Sequence, residues 1–332
     1  MENLRYTVLP SVTRIPREEL WSGRRLGDGG HLHGALHTLG YYSTDVCLGS
    51  PGRKFDLIID TGSSVTAVPC STCRQCGMHR CGRTKSCYDS SHSPTFDRVD
   101  CQHAPPGFTC EHCSPLHGSK CSYSVHYTEG SAIQGHVVAD YAHFTKSSYD
   151  RDGTSQPVRA RVYFGCQTLE TGMFYRQEAD GIMGMQPPRA RARVPSFLTS
   201  LVQQQERATE AFSLCLSERS GLFLLGGQPD AAMLKKRGAL SLPMDRNARA
   251  RYTLNLREVR VSGSGRSNGT FRGLGLPSTT YSPTLVDSGT TFVYASTPLY
   301  RALHAHLNRE QPSLKREGGK MCAFLTNAQV CK

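Results

Sequence analysis

The sequence predicts a mostly β protein of two lobes, each of which supplies one carboxylate to a shared site. The first observation is an internal near-repeat: Asp60–Ser64 and Asp287–Thr291 each read carboxylate, hydroxyl, glycine, hydroxyl, hydroxyl. The second is that each stretch directly follows an apolar run, which is typical of a strand that ends at the aspartate and turns through the glycine. Two such loops far apart in one chain indicate two related halves.

Length and composition agree with this prediction. The chain has 332 residues, enough for two domains. Its 32 glycines and 18 prolines separate many short runs rich in β-branched and aromatic residues, which favours strands over helices. Charged residues make up 20% and hydrophobic residues 38%, a balance typical of globular rather than disordered chains.

The chain is basic, with a formal net charge of +12. Such a charge suits binding to nucleic acid. The basic residues, however, fall in apparent loops such as 189–193 and 235–237, and no basic stripe alternates with aromatic residues. We therefore expect a solvated basic surface and no nucleic-acid partner.

The fourteen cysteines bear most on the cellular compartment, since nine of them fall between Cys70 and Cys121. Dense cysteines in a β-rich chain indicate disulfides and an oxidising compartment, which we take to be the lumen of the secretory pathway (endoplasmic reticulum or Golgi). The first nine residues lack the apolar stretch of a secretion signal, and no apolar run is long enough to cross a membrane. An incomplete N-terminus is one explanation.

The same cysteines leave a metal-binding alternative open. The stretch Cys70–Cys81, with four cysteines and His79, could hold zinc in tetrahedral coordination, and Cys110 and Cys113 add a second pair at short spacing. Because the chain otherwise looks secretory, we predict disulfides and no metal. Their connectivity stays open.

The elements follow in order from these patterns. Residues 1–39 are polar and weakly patterned, and we interpret them as a poorly ordered leader or prosegment. Residues 40–230 form the predicted N-terminal lobe, with a cysteine-rich insert at 70–121. Within this lobe we predict strands at Tyr41–Leu48, Lys54–Ile59, Val65–Val68, Arg161–Cys166, Phe212–Leu216 and Leu222–Leu225, a hairpin at Tyr123–Asp140 and a helix at Pro195–Arg207.

A loop at about 228–238 marks the predicted boundary to a C-terminal lobe, residues 231–332. An Asn268–Thr270 sequon in this lobe could carry a glycan in a secreted chain. The predicted strands are Leu240–Leu242, Tyr252–Leu256 and Glu258–Val261. Thr284–Tyr294 carries the second carboxylate, and the predicted helix is Pro298–Leu307.

Four motifs carry a resemblance to a known family: Phe55–Ser64, Tyr127–Ser131, Asp180–Gly184 and Val286–Thr291. They occur in the order found in pepsin-like aspartic proteases, which the chain resembles from about Gly40 to Leu307. The cysteine block together with Phe164–Cys166 is similar to the nepenthesin-type subgroup. Cys73–His79, and a glutamate before the flap glycine, resemble plasmepsin V and its apicomplexan relatives.

The resemblance implies a catalytic dyad of Asp60 and Asp287. Two carboxylates a few ångströms apart share one proton, so that one member removes a proton from a bridging water while the other donates to the peptide carbonyl. No cofactor or metal is needed for this chemistry. The resemblance also implies dyad support, in which hydroxyls brace the loops or bond to the carboxylates and glycines allow close backbone approach; these residues are Thr61, Gly62, Ser63, Ser288, Gly289 and Thr290.

A flap over the dyad is implied by the same resemblance. Tyr127 would close over the substrate. Glu129, beside Gly130, would receive the arginine of an Arg-x-Leu motif in exported proteins, because a carboxylate is the natural partner of a guanidinium. Gln177 or Glu178 would be a second contact. The alternative for Glu129 is a solvated charge at a hairpin tip.

We therefore predict a monomeric aspartic endopeptidase that acts on protein and peptide substrates of the secretory pathway. The family's C-terminal lobe is longer than the segment after Asp287, so we expect this lobe to be incomplete and any membrane anchor to belong to a longer form. Ala67 and Thr128 depart from the pepsin pattern, which has a tryptophan and a flap glycine there. Two alternatives stay open: a non-catalytic homologue that binds peptides in its cleft, and a cysteine-rich zinc or interaction module.

Overall fold

The structure is a computed structural model, and it describes most of the chain between residues 29 and 310. The described residues are 5–8, 29–34, 40–77, 79, 87–102, 104, 110, 112–113, 119–145, 159–187, 196–204, 211–216, 220–226, 235–236, 238–244, 251–262, 271–310, 315–317, 320–325 and 328–330.

Strands dominate these residues, as predicted. Twelve strands form one large sheet, and the others form four small sheets. The strands of the large sheet are β2 (Gly29–Gly34), β3 (Tyr42–Leu48), β4 (Arg53–Asp60), β5 (Ala67–Pro69), β6 (Asp97–Arg98), β7 (His112–Cys113), β8 (Cys121–His126), β9 (Ala132–Phe144), β10 (Ala160–Glu170), β11 (Gly181–Gly184), β12 (Phe212–Leu216) and β13 (Ser220–Leu225).

The order of strands in the large sheet explains how distant segments meet. The strands run β12-β13-β2-β3-β4-β11-β5-β10-β9-β8-β7, with β6 paired to β9, and a further β3–β9 pairing closes the central strands into a ring. β4 and β11 are parallel neighbours, with Gly184 opposite Asp60. This pairing brings the end of β11 to the loop that follows β4.

The helix α1 (Phe197–Gln203) covers one face of this sheet and contributes to its larger hydrophobic cluster. It begins after Ser196, whose side chain accepts the backbone amide of Thr199 at 3.3 Å and so satisfies one of the unpaired amides of the first turn. Full burial of an aliphatic or aromatic side chain contributes about 1.5–3 kcal/mol. The buried residues of α1 are the four that the sequence pattern places on one face: Phe197, Leu198, Leu201 and Val202.

Beyond residue 231 the described strands are short. The small sheets pair β1 (Arg5–Val8) with β14 (Leu240–Pro243), β15 (Thr253–Leu254) with β18 (Thr284–Leu285), β16 (Arg260–Ser262) with β17 (Phe271–Gly273), and β20 (Lys320–Leu325) with both β19 (Lys315–Glu317) and β21 (Ala328–Val330). The predicted second helix is present as α2 (Thr297–Glu310). Among the described helices, none combines the length and the apolar character that crossing a bilayer requires.

The structure differs from the sequence prediction at two places. β1 and β2 both lie within the 1–39 stretch that was predicted to be poorly ordered, yet β1 pairs with β14, and β2 pairs with β3 and β13 in the large sheet. The sequence did not indicate β2, because it begins with Gly29 and Gly30 and glycine is uncommon in strands. Both glycines lie so close to neighbouring atoms that a side chain would not fit there. Before Asp287, Thr284–Leu285 pairs as a strand, whereas the strand-like residues Phe292–Tyr294 after the turn are exposed and irregular.

Several predicted features lie outside the described residues. They are most of the 1–39 stretch, Cys81, the basic cluster at 189–193, most of the boundary loop at 228–238 and the Asn268–Thr270 sequon.

Disulfides cross-link the cysteine-rich insert, as predicted. The described bonds are Cys70–Cys166, Cys73–Cys76, Cys101–Cys113 and Cys110–Cys121. The sulfurs of Cys101, Cys110 and Cys113 lie within 4.8 Å of one another, since two of these disulfides are neighbours. A sulfur held in a disulfide is not the thiolate that zinc requires, and the short spacings that suggested a metal site are therefore used for cross-links.

Candidate active site

The first predicted carboxylate stands at the end of a buried strand. β3 and β4 form the hairpin predicted around Gly49–Gly52, and β4 ends at Asp60. Because Leu57 and Ile59 are fully buried in the core, the strand that carries the aspartate is rigidly placed. The Asp60 side chain is itself only 4% exposed.

The second carboxylate follows a short strand in the C-terminal lobe. β18 pairs with β15, and the amide of Val286 donates to the carbonyl oxygen of Tyr252 at 2.8 Å. The Tyr252 hydroxyl in turn donates to the carbonyl oxygen of Met185 at 2.8 Å, in the first lobe. Asp287 therefore follows a segment that is linked through Tyr252 to Met185, directly after β11.

Four reciprocal hydrogen bonds join the two loops. The amide of Thr61 donates to Oγ of Ser288 at 3.1 Å, and the amide of Ser288 donates to Oγ1 of Thr61 at 2.8 Å. Each hydroxyl then donates to a carbonyl oxygen of the opposite lobe: Thr61 to Val286 at 2.9 Å and Ser288 to Ile59 at 2.7 Å. These four bonds form a closed network in which both hydroxyls donate and accept.

Each carboxylate accepts two bonds from its own loop. The amide of Gly62 donates to Oδ1 of Asp60 at 2.8 Å, and the Ser63 hydroxyl donates to the other oxygen. In the second loop the amide of Gly289 and the hydroxyl of Thr290 donate in the same way to Asp287, at 2.8 and 2.5 Å. Both carboxylates are therefore oriented by equivalent donors.

The two glycines bring the carboxylates together. A Cβ atom on Gly62 would overlap the carboxylate of Asp287, and a Cβ atom on Gly289 would lie 2.5 Å from Oδ1 of Asp60. Each loop can approach the opposite carboxylate only because a side chain is missing at this point.

The environment of the pair shifts its protonation. Burial, followed by the negative charge of Asp287, raises the pKa of Asp60 to about 7, and the hydrogen bond from Ser63 opposes the rise. Two carboxylates this close cannot both ionise without a large electrostatic cost, so an arrangement of this kind can share one proton. Such a pair can act as acid and base at once.

The hairpin of β8 and β9 contains the residues predicted to form a flap. β8 and β9 are joined by a turn in which the amide of Tyr127 donates to Ser131 O at 2.9 Å and the amide of Gly130 donates to Tyr127 O at 3.0 Å. Gly130 has a φ of +96°, which a residue with a side chain adopts only with strain. The sequence Glu129–Gly130 therefore fits the tip of this turn.

Tyr127 lies close enough to Asp60 and Asp287 for their charges to affect its pKa. Burial first, and then the negative charge of Asp60, raise its pKa well above the usual value, with a smaller contribution from Asp287. Among the described residues, the Tyr127 hydroxyl has no hydrogen-bond partner of good geometry. The Ser63 hydroxyl nevertheless lies near enough to oppose the rise in the pKa of Tyr127. The Tyr127 ring packs against Phe174, with ring centroids 4.9 Å apart.

The residues predicted to contact a substrate arginine are Glu129, Gln177 and Glu178. Glu129 is exposed and forms no ion pair with a described residue. Glu178 is also exposed, whereas Gln177 is half-buried and its carboxamide donates to Ala179 O at 3.2 Å. In the described part of the chain, no hydrogen bond or ion pair connects Glu129 to either residue.

The segment Glu170–Phe174 anchors the flap at its base, which the sequence did not suggest. The amide of Thr171 donates to Ala132 O, and the Thr171 hydroxyl accepts the amide of Ala132, both at 2.9 Å. Glu170 contacts a residue of the cysteine-rich insert: Nδ1 of His79 lies 3.2 Å from its Oε2, and both side chains are buried. No local pattern could have paired residues that are 91 positions apart.

Gln186 was also missed. Its buried carboxamide donates to the carbonyl oxygen of Gly62, inside the first carboxylate loop. The available signal was a polar residue directly after the apolar stretch Gly181–Met185, where the chain was predicted to pass close to another backbone.

Comparison with known proteins identifies relatives of the chain. The family described as "Xylanase inhibitor N-terminal" matches residues 42–227. Aspartic protease 5 of Toxoplasma gondii is 34% identical over 212 residues, which cover 59% of this chain and 20% of that protein. Plasmepsin V of Plasmodium falciparum is 31% identical over 202 residues, which cover 60% of this chain and 31% of that protein.

A plant relative matches more of the chain. Aspartic proteinase-like protein 1 of Arabidopsis thaliana is 29% identical over 301 residues, which cover 86% of this chain and 51% of that protein. The chain thus spans about a fifth to a half of the length of these curated relatives.

Proposed function

The chain belongs to the pepsin-like aspartic protease family, and on that premise we propose that it is an aspartic endopeptidase with Asp60 and Asp287 as its catalytic dyad. The observation that carries the proposal is the pair of loops joined by reciprocal hydrogen bonds, in which each glycine lies against the opposite carboxylate. A turn that merely caps a strand end requires neither the bonds across the lobes nor the close approach.

The mechanism follows from the shared proton. A water molecule between the carboxylates loses a proton to the ionised member as its oxygen attacks the peptide carbonyl carbon. The protonated member donates to the carbonyl oxygen, which gives a neutral tetrahedral diol. As the diol collapses, one of its hydroxyls returns a proton to the ionised carboxylate and its C=O bond re-forms, while the other carboxyl gives its proton to the leaving nitrogen and the C–N bond breaks. The dyad then again holds one proton.

Cleavage of a peptide by the purified chain tests this function. Mass spectrometry should show two new fragments, and a peptide with a hydroxyl in place of the scissile carbonyl should inhibit their formation because it mimics the diol. An intact peptide across the pH range 4–8, with the chain folded, would contradict the proposal.

For specificity we propose that Glu129 binds the arginine of an Arg-x-Leu motif, with Gln177 or Glu178 as a second contact. The exposed carboxylate at the flap tip has no ion-pair partner among the described residues, so a substrate guanidinium would be its first. Such a charge-assisted bond contributes more than a neutral one, and it can be bidentate.

Replacing Glu129 with glutamine is expected to abolish a preference for arginine. The measurement compares kcat/KM for two peptides that differ only in arginine against citrulline, its neutral isostere. We expect the unmodified chain to favour arginine by about tenfold, which corresponds to about 1.4 kcal/mol, and Glu129→Gln to cleave both peptides equally. Glu258→Gln, an exposed glutamate of the second lobe, is the control; an arginine preference that survives Glu129→Gln would refute the assignment.

The cellular setting and organisation belong to the same proposal. The disulfides of the described insert support the lumen of the secretory pathway, where protein and peptide substrates would be met. We propose that the chain acts as a monomer, with one lobe comprising residues 40–230 together with β2 and the other residues 231–332.

A second candidate function is peptide binding without cleavage. The family that matches residues 42–227 is described by the name of an inhibitor and not of a protease, and this name supports the candidate. Tight binding of the peptide without fragments would favour this candidate over the endopeptidase.

A further inference from the structure

The segment Gly184–Gln186 runs along the first carboxylate loop and holds it by backbone bonds. The amide of Gly184 donates to Val65 O at 3.1 Å, and that of Met185 donates to Asp60 O at 2.8 Å. The amide of Gln186 donates to Ser63 O at 2.9 Å. Because these three bonds use only backbone amides, most residues at the three positions could make them.

The side chain of Gln186 adds a bond that few other residues could make. Its Nε2 donates to the carbonyl oxygen of Gly62, and the residue is only 4% exposed. Gln186 therefore holds two consecutive residues, Gly62 through its side chain and Ser63 through its backbone. These are the residues that donate to the two oxygens of Asp60.

Gly62 is also the point of contact with the opposite carboxylate. A Cβ atom there would overlap Asp287, so a small movement of Gly62 either presses on Asp287 or opens a gap beside it. Reactions that depend on two positioned groups lose about 10²-fold when one group is misplaced by about 1 Å. The Gly62 carbonyl that Gln186 holds thus lies in the part of the loop that sets the distance between the carboxylates of Asp60 and Asp287.

We propose that Gln186 is a positioning residue for the dyad, whose carboxamide fixes the Gly62 carbonyl and thereby the placement of Asp60 against Asp287. This inference rests on the proposed endopeptidase function. A buried amide that only satisfies its own hydrogen bonds would contribute to stability but would leave the dyad unchanged.

The variants separate these two roles. Gln186→Met keeps the length and the burial of the side chain but removes the donor, and Gln186→Asn keeps the donor on a side chain too short to reach. Gln204→Met is the matched control, because the Gln204 carboxamide also donates to backbone carbonyls, those of Arg161 at 2.6 Å and Ser200 at 2.8 Å. Thermal unfolding of the full chain shows first whether each variant is folded.

Kinetics give the first readout. With both Gln186 variants we expect kcat for peptide cleavage to fall about tenfold while KM changes less than about twofold, since the loss affects the reacting groups and not substrate binding. Gln204→Met should change neither constant. Folded Gln186 variants with an unchanged kcat overturn the inference, and so does a loss of folding in both, which would assign Gln186 a purely structural role.

Carboxyl titration gives a second readout that does not depend on cleavage. Carbon-13 NMR of labelled aspartate side chains in the full chain follows the protonation of Asp60. We expect its pKa to be lower in Gln186→Met, because a loosened loop admits water and relieves the burial that raises it. If the unmodified chain cleaves no peptide, the proposed function fails and the titration alone decides the inference; an unchanged Asp60 titration then overturns it.

Discussion

Replacing either Asp60 or Asp287 with asparagine is expected to reduce kcat/KM for peptide cleavage by at least about 10³-fold. Asparagine keeps the shape and the hydrogen bonds that Gly62 and Gly289 donate, but it cannot exchange a proton with water or substrate. Both variants should remain folded, so the loss will be confined to kcat. Steady-state kinetics on one peptide, with thermal unfolding of each variant, make the measurement.

Asp97→Asn is the matched control for the dyad variants. Asp97 is an exposed carboxylate whose Oδ2 pairs with Arg161 at 2.9 Å, and its replacement should leave kcat unchanged. Cleavage that survives either dyad substitution would exclude a mechanism in which the two carboxylates share one proton.

Asp60→Asn is also expected to change how the free energy of unfolding depends on pH. The pKa of Asp60 is about 7 in the folded chain, against about 3.9 for an aspartate in an unfolded one. Between these values only the folded state keeps the proton, so the free energy of unfolding falls as the pH rises from about 4 to about 7, by up to about 1.4 kcal/mol per pH unit. Urea unfolding at several pH values should show this slope in the unmodified chain and a smaller slope in Asp60→Asn.

Removing one member of the His79–Glu170 pair is expected to lower the free energy of unfolding by about 3–5 kcal/mol, because the remaining group stays buried without its partner. Burial would lower the pKa of His79, but the hydrogen bond and the charge of Glu170 outweigh it and raise that pKa. Burial raises the pKa of Glu170, and the hydrogen bond from His79 opposes the rise. The pKa of each side chain therefore depends on the presence of the other.

A double-mutant cycle measures that dependence. His79→Leu and Glu170→Leu should each destabilise strongly, while the double variant recovers part of the loss because no charge is left buried. His92→Ala is the control: His92 lies 3.0 Å from Asp89, but its side chain is 83% exposed, and its loss should cost about 0.5 kcal/mol or less. Strictly additive effects of the two leucine substitutions would contradict the coupling.

The sequence predicted the elements whose signals are local. The loops around Asp60 and Asp287 were visible because an apolar run, an aspartate and a glycine stand in sequence there, and α1 was visible because four apolar residues share one helical face. The hairpin that carries Tyr127 also has a local signal, because two runs of alternating apolar and polar residues flank a glycine turn.

Features that depend on contacts between distant segments could not be predicted in this way. β2 has glycines where a strand usually has β-branched residues, and only the closeness of its neighbours explains them. The Cys70–Cys166 bond spans 96 positions, and the spacing of the cysteines left this pairing open. The bond from Gln186 to Gly62 likewise becomes visible only when β11 is placed beside β4.

The reciprocal bonds between the two loops have a consequence for biosynthesis. The amide of Thr61 finds its acceptor in Ser288, which is made 227 residues later, and the carbonyl of Ile59 finds its donor in the same residue. At about 5–20 residues per second, synthesis needs roughly 10–45 s to supply that partner. Throughout this time the first loop lacks the partners that brace it, and the nascent chain carries only one carboxylate of the pair. On the proposed mechanism, a cleavage-competent site therefore arises only after the Asp287–Thr291 loop has been made and has paired with the first loop.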